Sequence, residues 1–175
     1  MLRFTFLDLA EVNRPFMPDI RRRIAAVVSS GRYIGGPEVA EFEQRLADST
    51  GVRHAIGVSN GLDALRLIIR GYIETGAFAP GDEIIVAANT YVASVLAISE
   101  TGLKPVLADP SGVTLNLNPH TLRKYITPRT RAIMPVHLYG RVCWSETLSQ
   151  FAADHSLKVI EDNAQAIGAR YTAPD

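Results

Sequence analysis

Two polar side chains late in the sequence could take part in chemistry at the end of a strand. Asp162 and Gln165 follow residues 157–160, an apolar run that is short and β-branched enough to be a buried strand. In open α/β sheets, ligands bind in the crevice beyond the carboxyl ends of the strands. A carboxylate there can face a protonated ring nitrogen, and an amide can donate to a phenolate oxygen. Many strand-to-loop junctions carry an aspartate that has no chemical role, so Asp162 alone decides nothing.

A second candidate feature is a polar turn at residues 59–61, between an apolar run at 54–58 and a helical pattern. The N-terminus of a helix aims free backbone N–H groups at an anion, and the helix dipole adds roughly half a positive charge there. We therefore expect the N–H groups of Gly61 and Leu62 to bind a phosphate, helped by Asn60 or Ser59. An ordinary strand-to-helix turn is the alternative, because the sequence has neither a P-loop nor a GxGxxG motif.

Tyr91 and His137 are expected at the same edge of the sheet. Tyr91 follows the apolar run 83–87, and His137 follows the run 131–136. An aromatic ring at that edge can stack on a planar cofactor, and packing beneath a loop is the alternative. A lone histidine is more often structural than catalytic. An anion cradle, an aromatic ring and a carboxylate for a ring nitrogen together indicate a binding site for pyridoxal 5'-phosphate.

Alternating strand and helix patterns must position these candidates. The sequence predicts five strand–helix repeats with the lengths expected of parallel crossovers. The predicted strands are residues 54–58, 83–87, 104–108, 131–136 and 157–160. Parallel strands present their carboxyl ends at one edge of a sheet. We therefore predict an α/β fold with three layers around a mostly parallel sheet.

Further patterns set the expected organisation of the chain. Residues 1–13 are expected to form an irregular or extended arm, and residues 18–30 and 37–50 to form helices that each end at a glycine. Later helical patterns lie at 62–72, 92–99, 118–126 and 144–154. We divide the chain into an arm, helix and loop at 1–36 and strand–helix repeats at 37–175.

Charge and composition narrow the class of protein. The formal net charge is zero, with 18 basic and 18 acidic residues, so nothing indicates a nucleic-acid or anionic-membrane partner. No apolar run approaches the roughly 20 residues that cross a bilayer, and the acidic residue at position 8 argues against a signal peptide. We expect a cytoplasmic protein. Its single cysteine, Cys143, forbids an internal disulfide. No Cys/His cluster has the spacing of metal ligands, so no metal site is expected.

Four motifs carry a resemblance to a known family. They are SNGLDAL at 59–65, NTYVASVLAI at 89–98, PVHLYG at 135–140 and VIEDNAQAIGA at 159–169. In this order they resemble the DegT/DnrJ/StrS-type sugar aminotransferases, and the match runs from about Phe6 to the last residue. The resemblance implies fold-type-I enzymes that use pyridoxal phosphate, act on nucleotide-linked keto-sugars and are mostly homodimers. Residues 61–76 and 89–110 look closest to members that aminate C3 of a thymidine-diphosphate-linked 3-keto-6-deoxyhexose, with glutamate as donor.

The resemblance also implies roles for single residues. Residues 31–36, including Tyr33, would border the sugar site across a dimer, and we place His137 next to the substrate as well. The cofactor would be held by backbone N–H groups that bind its phosphate, a ring that stacks on it, a carboxylate that pairs with its pyridinium nitrogen and an amide that contacts its ring oxygen. These groups belong to Gly61 and Leu62, Tyr91, Asp162 and Gln165 respectively.

The sequence departs from the family at the catalytic lysine. In the family, the Schiff-base lysine follows the last of the four motifs, and this chain has only three lysines, none of them after that motif. Lys158 begins the strand that ends near Asp162, so it should lie roughly 13 Å away at the opposite edge of the sheet. Lys104 also precedes its strand, and Lys124 belongs to a helical segment with its amine in water. We therefore expect the N-terminal part of a transferase large domain, truncated before its end and inactive alone.

Two other interpretations remain open. The chain could be a non-catalytic binding or regulatory module derived from the same fold, which the missing lysine supports. It could also be an unrelated doubly wound nucleotide-binding domain, although the absence of GxGxxG after the first strand counts against that class.

Overall fold

The computed structural model describes residues 6–172. The chain divides into two compact units, Met1–Gly57 and Val58–Asp175, which are described separately.

The first unit is helical. Helix α1 spans Leu9–Asn13 and α2 spans Met17–Ser30, with a 3-10 turn at Arg14–Phe16 between them, and α3 spans Pro37–Thr50. Asp8 caps α1 by accepting from two backbone N–H groups, so the arm predicted at 1–13 is helical from residue 9. Residues 1–5 of that arm lie outside the described part.

Both long helices of this unit end as the sequence predicts. Gly31 follows α2 with φ 67°, and Gly51 follows α3 with φ 76°, the left-handed conformation that glycine adopts without a steric penalty. Their apolar side chains are exposed, including Ile24 and Val28 on α2 and Phe42 on α3. Of the described residues in this unit, only Gly36 and Ala47 are buried. The apolar faces that the helical periodicity predicts are therefore present but uncovered.

The prediction of a strand at residues 54–58 is wrong. These residues form no strand, and the side chain of Ile56 is 81% exposed. A strand needs a neighbour to pair its backbone N–H and C=O groups. No described segment of this chain pairs with residues 54–58.

The second unit is built on a parallel sheet of four strands rather than five. The strands are β1 Glu83–Ala87, β2 Lys104–Ala108, β3 Thr130–Met134 and β4 Lys158–Val159, and their order in the sheet is β2-β1-β3-β4. The predicted bounds of β1 and β2 are confirmed. β3 ends two residues before its predicted end, at a proline that has no N–H for the ladder.

The second unit has three helices, α4 Gly61–Glu74, α5 Val92–Ser99 and α6 Glu146–Asp154. α4 precedes β1, whereas α5 connects β1 to β2 and α6 connects β3 to β4 as α/β crossovers. The helix predicted at 118–126 is instead a 3-10 turn at Leu122–Tyr125. Ile126, which follows this turn, is already extended, with ψ 129°.

Two clusters of buried side chains lie on the two faces of the sheet. β1 supplies both, because alternate residues of a strand point to opposite faces. Ile84 and Val86 pack with residues of α4 and α5, and Ile85 packs with Leu148 of α6. The predicted three-layer α/β architecture is confirmed, with every residue of β1 buried between helical layers.

Candidate functional site

A cavity of about 400 Å³ lies at the carboxyl ends of the strands in the second unit. It is bounded by the first turns of α4 and α5 and by the loop after β4. Its lining includes six residues predicted from the sequence to contact a cofactor: Asn60, Gly61, Leu62, Tyr91, Asp162 and Gln165.

The N-terminus of α4 presents two backbone donors to this cavity. Asn60 is the N-cap, its side-chain oxygen accepts from the Asp63 N–H at 2.9 Å, and its carbonyl accepts from Ala64 at 3.0 Å. The N–H groups of Gly61 and Leu62 precede the first intrahelical bond and have no partner among the described residues. The Asn60 side chain is thus used for capping, and the two following amides remain available to an anion.

A negative charge also lies in the first turn of α4, on Asp63. Its carboxylate accepts from the Ser59 hydroxyl and from Arg66, whose Nη1 lies 2.9 Å from Oδ1. These bonds, with Ser59 first, lower the pKa of Asp63. Arg66 supplies the positive charge that offsets this carboxylate next to the two free amides.

Asp162 is a buried carboxylate that receives only neutral donors. It is 9% exposed. Its Oδ2 accepts from the Ser94 hydroxyl at 2.7 Å, and its Oδ1 accepts from the Ala164 N–H at 3.1 Å. No cationic side chain in residues 6–172 lies within ion-pair distance of Asp162. A buried carboxylate without a counter-charge is costly, so a cationic group of a ligand would complete it.

The backbone holds Asp162 on both sides. Its N–H donates to the Pro135 carbonyl at 3.0 Å, and its carbonyl accepts from the His137 N–H at 3.1 Å. This bridge between Val136 and Asp162 continues the β3–β4 pairing beyond the ends of both strands. The position of the carboxylate is therefore set by the sheet and not by a free loop.

The side-chain amide of Gln165 has a fixed orientation. Its Oε1 accepts from the Tyr139 N–H at 2.7 Å, and a backbone N–H can only donate, which identifies the oxygen. Its Nε2 has no hydrogen-bond partner in the part of the chain that the structure describes. The amide nitrogen is thus left to donate to a ligand oxygen.

Tyr91 stands at the opening of the cavity, immediately before α5. It is the N-cap residue of that helix in extended conformation, and its side chain is 69% exposed. A planar group bound in the cavity would meet an aromatic ring there.

The sequence predicts that His137 contacts a substrate. In the structure it is not part of the cavity lining. Its side chain is 3% exposed, and both ring nitrogens are hydrogen-bonded within the protein, to the Cys143 N–H and to Glu161. Tyr33 belongs to the first unit, where its hydroxyl donates to the Val28 carbonyl at 3.2 Å. Its contact with a substrate stays a prediction.

Sequence reasoning missed Ser94 and Thr90. Ser94 is fully buried, and its hydroxyl lies between the Asp162 carboxylate and the Thr90 hydroxyl, 3.0 Å from the latter. The available signal was the spacing, because residues four apart meet on one face of a helical turn. A serine among the apolar residues of α5 was the other sign.

The three lysines of the chain all lie among the described residues, and none lines the cavity. Lys104 pairs with Glu83 at 3.0 Å at the amino ends of β1 and β2, and Lys158 begins β4. Lys124 pairs with Asp109 at 3.2 Å with its amine over the Tyr125 ring. Tyr125 and then Asp109 raise the pKa of Lys124, which keeps its amine protonated.

Another cavity, of about 430 Å³, lies at the first turn of α6, and its lining includes none of the predicted site residues. Within residues 6–172, no group of three or more His, Cys, Asp or Glu side chains could hold a metal ion. No helix in the same range combines the length and hydrophobicity that a membrane span requires.

Comparison with known proteins assigns this chain to a family. Residues 17–173 match the DegT/DnrJ/EryC1/StrS aminotransferase family, which is most of the chain. The chain belongs to this family. DegT/DnrJ/EryC1/StrS aminotransferases depend on pyridoxal phosphate, so the family and cofactor predicted from the four motifs are confirmed.

Two relatives in the DegT/DnrJ/EryC1/StrS family are named for work on thymidine-diphosphate sugars. The dTDP-3-amino-3,6-dideoxy-alpha-D-galactopyranose transaminase of Aneurinibacillus thermoaerophilus is 49% identical over 166 residues, covering 95% of this chain and 45% of the relative. The dTDP-3-amino-3,4,6-trideoxy-alpha-D-glucose transaminase of Streptomyces venezuelae is 45% identical, covering 97% and 44%. The chain thus spans less than half the length of these curated relatives.

Solved structures of sugar aminotransferases share this fold. The crystal structure of DesV from S. venezuelae matches with a TM-score of 0.91 and 45% identity, covering 98% of this chain and 45% of that one. The structure of NtdA from Bacillus subtilis, with its cofactor PMP bound, matches with a TM-score of 0.83 and 32% identity, covering 95% and 38%. The fold-type-I assignment made from the sequence is therefore confirmed.

Proposed function

We propose that this chain is the N-terminal, cofactor-facing part of the large domain of an aminotransferase that transfers an amino group to a nucleotide-linked keto-deoxysugar. The single observation that carries the proposal is the Asp162 carboxylate. It is buried at the edge of the cavity and bonded only to neutral donors, so it has room for a cationic partner. The pyridinium nitrogen of pyridoxal phosphate is such a partner.

The residues present fit the phosphate, the ring nitrogen and the ring oxygen of the cofactor. The free N–H groups of Gly61 and Leu62 would bind its phosphate, and the Nε2 of Gln165 would donate to its ring oxygen. Tyr91 would cover one face of its ring. Asn60 would hold the phosphate-binding turn in shape through its capping bond and not by direct contact.

When bound, the cofactor supplies an electron sink for breaking the substrate's Cα–H bond. Asp162 would hold a proton on the ring nitrogen, because a nearby opposite charge favours the protonated form. Ser94 and the Ala164 N–H would fix which Asp162 oxygen faces that nitrogen. None of Lys104, Lys124 and Lys158 is placed to act, so we assign the Schiff-base lysine to a position outside this chain.

The substrate class, assembly and location belong to the same proposal. We favour a thymidine-diphosphate-linked 3-keto-6-deoxyhexose, since two relatives are named for transamination that gives 3-amino sugars on this nucleotide. We also propose a homodimer, to which the uncovered apolar faces of α2 and α3 would contribute, and a cytoplasmic location, which suits the free thiol of Cys143.

A titration of the full chain with pyridoxamine 5'-phosphate tests the site. Gly61→Pro removes one phosphate-binding N–H, yet proline is well tolerated at the first helical position, and Asn60 is already extended as a residue before proline should be. We expect the dissociation constant to rise about 10-fold or more, since hydrogen bonds to charged groups contribute about 1.5–3 kcal/mol.

Gly61→Ala is the matched control. It keeps the N–H, and its added Cβ would meet only the Ala164 Cβ at 4.0 Å, an ordinary contact, so its affinity should equal that of the wild type. Inorganic phosphate should compete with the ligand. Failure of the wild-type chain to bind, or equal affinities for the proline and alanine variants, would refute the phosphate assignment.

A non-catalytic binding module is the second candidate, and the absence of a lysine from the cavity lining favours it. Both candidates predict that pyridoxal phosphate bound to this chain is released after borohydride treatment. Joining the chain to the remaining half of a relative such as that from A. thermoaerophilus separates them. Transamination by the joined protein supports the enzyme, and cofactor binding without turnover supports the module.

A further inference from the structure

The ring of His137 closes the loop that follows β3. Its Nδ1 accepts from the Cys143 N–H at 2.8 Å, which tethers the first residue of the loop to the residue six positions later. Because a backbone N–H can only donate, the ring proton lies on Nε2. Nε2 then donates to Glu161 Oε2 at 2.9 Å. The imidazole is therefore neutral and joins this loop to the residue that precedes Asp162.

The closed loop contains a strained turn. Tyr139 has φ 55° and ψ 28°, the left-handed conformation that a bulky side chain rarely adopts, and Gly140 follows with φ 79°. This conformation aims the Tyr139 N–H at Gln165 Oε1, 2.7 Å away. Strain of this kind persists only where the surrounding structure enforces it. The His137–Cys143 and His137–Glu161 bonds are the side-chain restraints that His137 places on the loop, in addition to backbone bonds such as that from the His137 N–H to the Asp162 carbonyl.

We propose that His137 is a positioning residue that orients the Gln165 amide through this turn and does not itself touch cofactor or substrate. The Tyr139 N–H fixes Gln165 Oε1, so Nε2 is the atom presented to the cavity. The inference rests on the proposed function, since Gln165 is there assigned to the cofactor's ring oxygen. It differs from the sequence-based expectation that His137 contacts the substrate.

Nuclear magnetic resonance of the ¹⁵N-labelled full chain tests the first half of this proposal without any cofactor. In His137→Leu we expect the Tyr139 amide to exchange with solvent at least about tenfold faster, as a lost hydrogen bond requires. The Gln165 side-chain amide resonances should shift towards those of a free glutamine. His155→Leu is the control. The His155 ring contacts Phe151 on α6, away from the loop after β3, so this variant should leave both signals unchanged.

Glu161→Ala guards against a His137 variant that fails to fold. Glu161 is half exposed, and its removal deletes only the Nε2 bond, so the same two signals should change in the same direction by less. Wild-type exchange at Tyr139 together with wild-type Gln165 resonances in either folded variant would overturn the proposal.

A double-mutant cycle on pyridoxamine 5'-phosphate affinity tests the second half. His137→Leu and Gln165→Leu should each weaken binding about three- to tenfold, the range for a neutral hydrogen bond. The double variant should be no weaker than Gln165→Leu alone, because His137 acts only through that amide. Additive losses would overturn the proposal. If the wild type does not bind the ligand, the proposed function fails, and the amide-exchange result still decides the role of His137.

Discussion

Buried carboxylates lie at both ends of the same sheet, but their hydrogen-bond and ion-pair partners differ. At the amino ends of the strands, Glu83 accepts from Lys104 Nζ at 3.0 Å and from the Thr127 hydroxyl at 2.6 Å, and Asp82 pairs with Arg131 at 3.3 Å. At the carboxyl ends, Asp162 accepts only from a hydroxyl and a backbone amide. The charges of Glu83 and Asp82 are neutralised by cations of the protein, and the charge of Asp162 is not.

This difference separates structural from ligand-binding polarity. A carboxylate whose cation comes from a neighbouring strand contributes to the fold and has nothing left to offer. At the carboxyl end, an anionic side chain, two helix N–H groups and one amide nitrogen are all without matching partners in the described residues. Their complementary groups are a cation, an anion and a hydrogen-bond acceptor, which pyridoxal phosphate combines in one molecule.

The largest expected effect is that of Asp162→Asn. Removing one partner of a buried ion pair costs about 3–5 kcal/mol, so the affinity for pyridoxamine 5'-phosphate should fall about 100-fold or more. The melting temperature should change little, because the asparagine Oδ1 can still accept from the Ala164 N–H and its Nδ2 can donate to the Ser94 hydroxyl oxygen. In a protein that also carries the lysine, turnover should fall by orders of magnitude. Near-normal binding and rate would show that Asp162 is only another structural carboxylate.

Glu83→Gln should lower stability without affecting ligand binding, the reverse of what we expect for Asp162→Asn. Its side chain loses a charge that three groups at the amino ends of the strands stabilise, Lys104, Thr127 and Thr130. We expect the free energy of unfolding in urea to fall by about 1.5–3 kcal/mol, the range for hydrogen bonds to charged groups. Ligand affinity should be unchanged. Glu74→Gln, on the exposed end of α4, serves as the control; a loss of binding in Glu83→Gln would remove the distinction between the two ends.

One component of the pH dependence of stability should arise at the amino ends of the strands. The Thr127 hydroxyl, and then Lys104, lower the pKa of Glu83 below its ordinary value of 4.5 in the folded chain. The resulting stabilisation is fully present above pH 4.5 and is lost as the pH falls through the lower folded pKa. Urea unfolding measured between pH 7 and 3 should show this loss in the wild type. The same titration of Glu83→Gln should lack that component.

Ser94→Ala should have the smallest effect. It removes one neutral donor from Asp162 Oδ2, worth about 0.5–1.5 kcal/mol, so affinity for pyridoxamine 5'-phosphate should weaken about two- to tenfold. Thr127→Val removes the corresponding hydroxyl from Glu83, and it should lower unfolding free energy without affecting binding. The two variants measured side by side by titration and urea unfolding compare one hydroxyl at each end of the sheet.

The sequence predicts the parts of the fold that local pattern determines. β1 and β2 have the predicted bounds, since an apolar run and its flanking turns decide where a buried strand begins and ends. Residues 54–58 carry the same apolar pattern, but pairing depends on a neighbour that the pattern cannot supply. The 3-10 turn at Leu122–Tyr125 shows the same limit, because the periodicity at 118–126 predicts a helix and only one short turn of it forms.

The site divides in a similar way. Gly61, Asp162 and Gln165 could be predicted to meet, because parallel strands bring their carboxyl ends to one edge. The bonds of His137 could not, since its partners lie 6 and 24 positions further along the chain. The hydrogen bond from Ser94 to Asp162 could not be predicted for the same reason, because 68 positions separate the two residues.

The order β2-β1-β3-β4 has a consequence for synthesis on the ribosome. β1 is the first strand of this sheet to be made, yet it lies in the interior, and β3 begins about 40 residues after β1 ends. At roughly 5–20 residues per second, one side of β1, which is apolar from Ile84 to Ala87, waits several seconds for its neighbour. During that interval the nascent chain exposes an unpaired hydrophobic strand edge. Chaperones bind such edges, and other nascent chains can pair with them and aggregate.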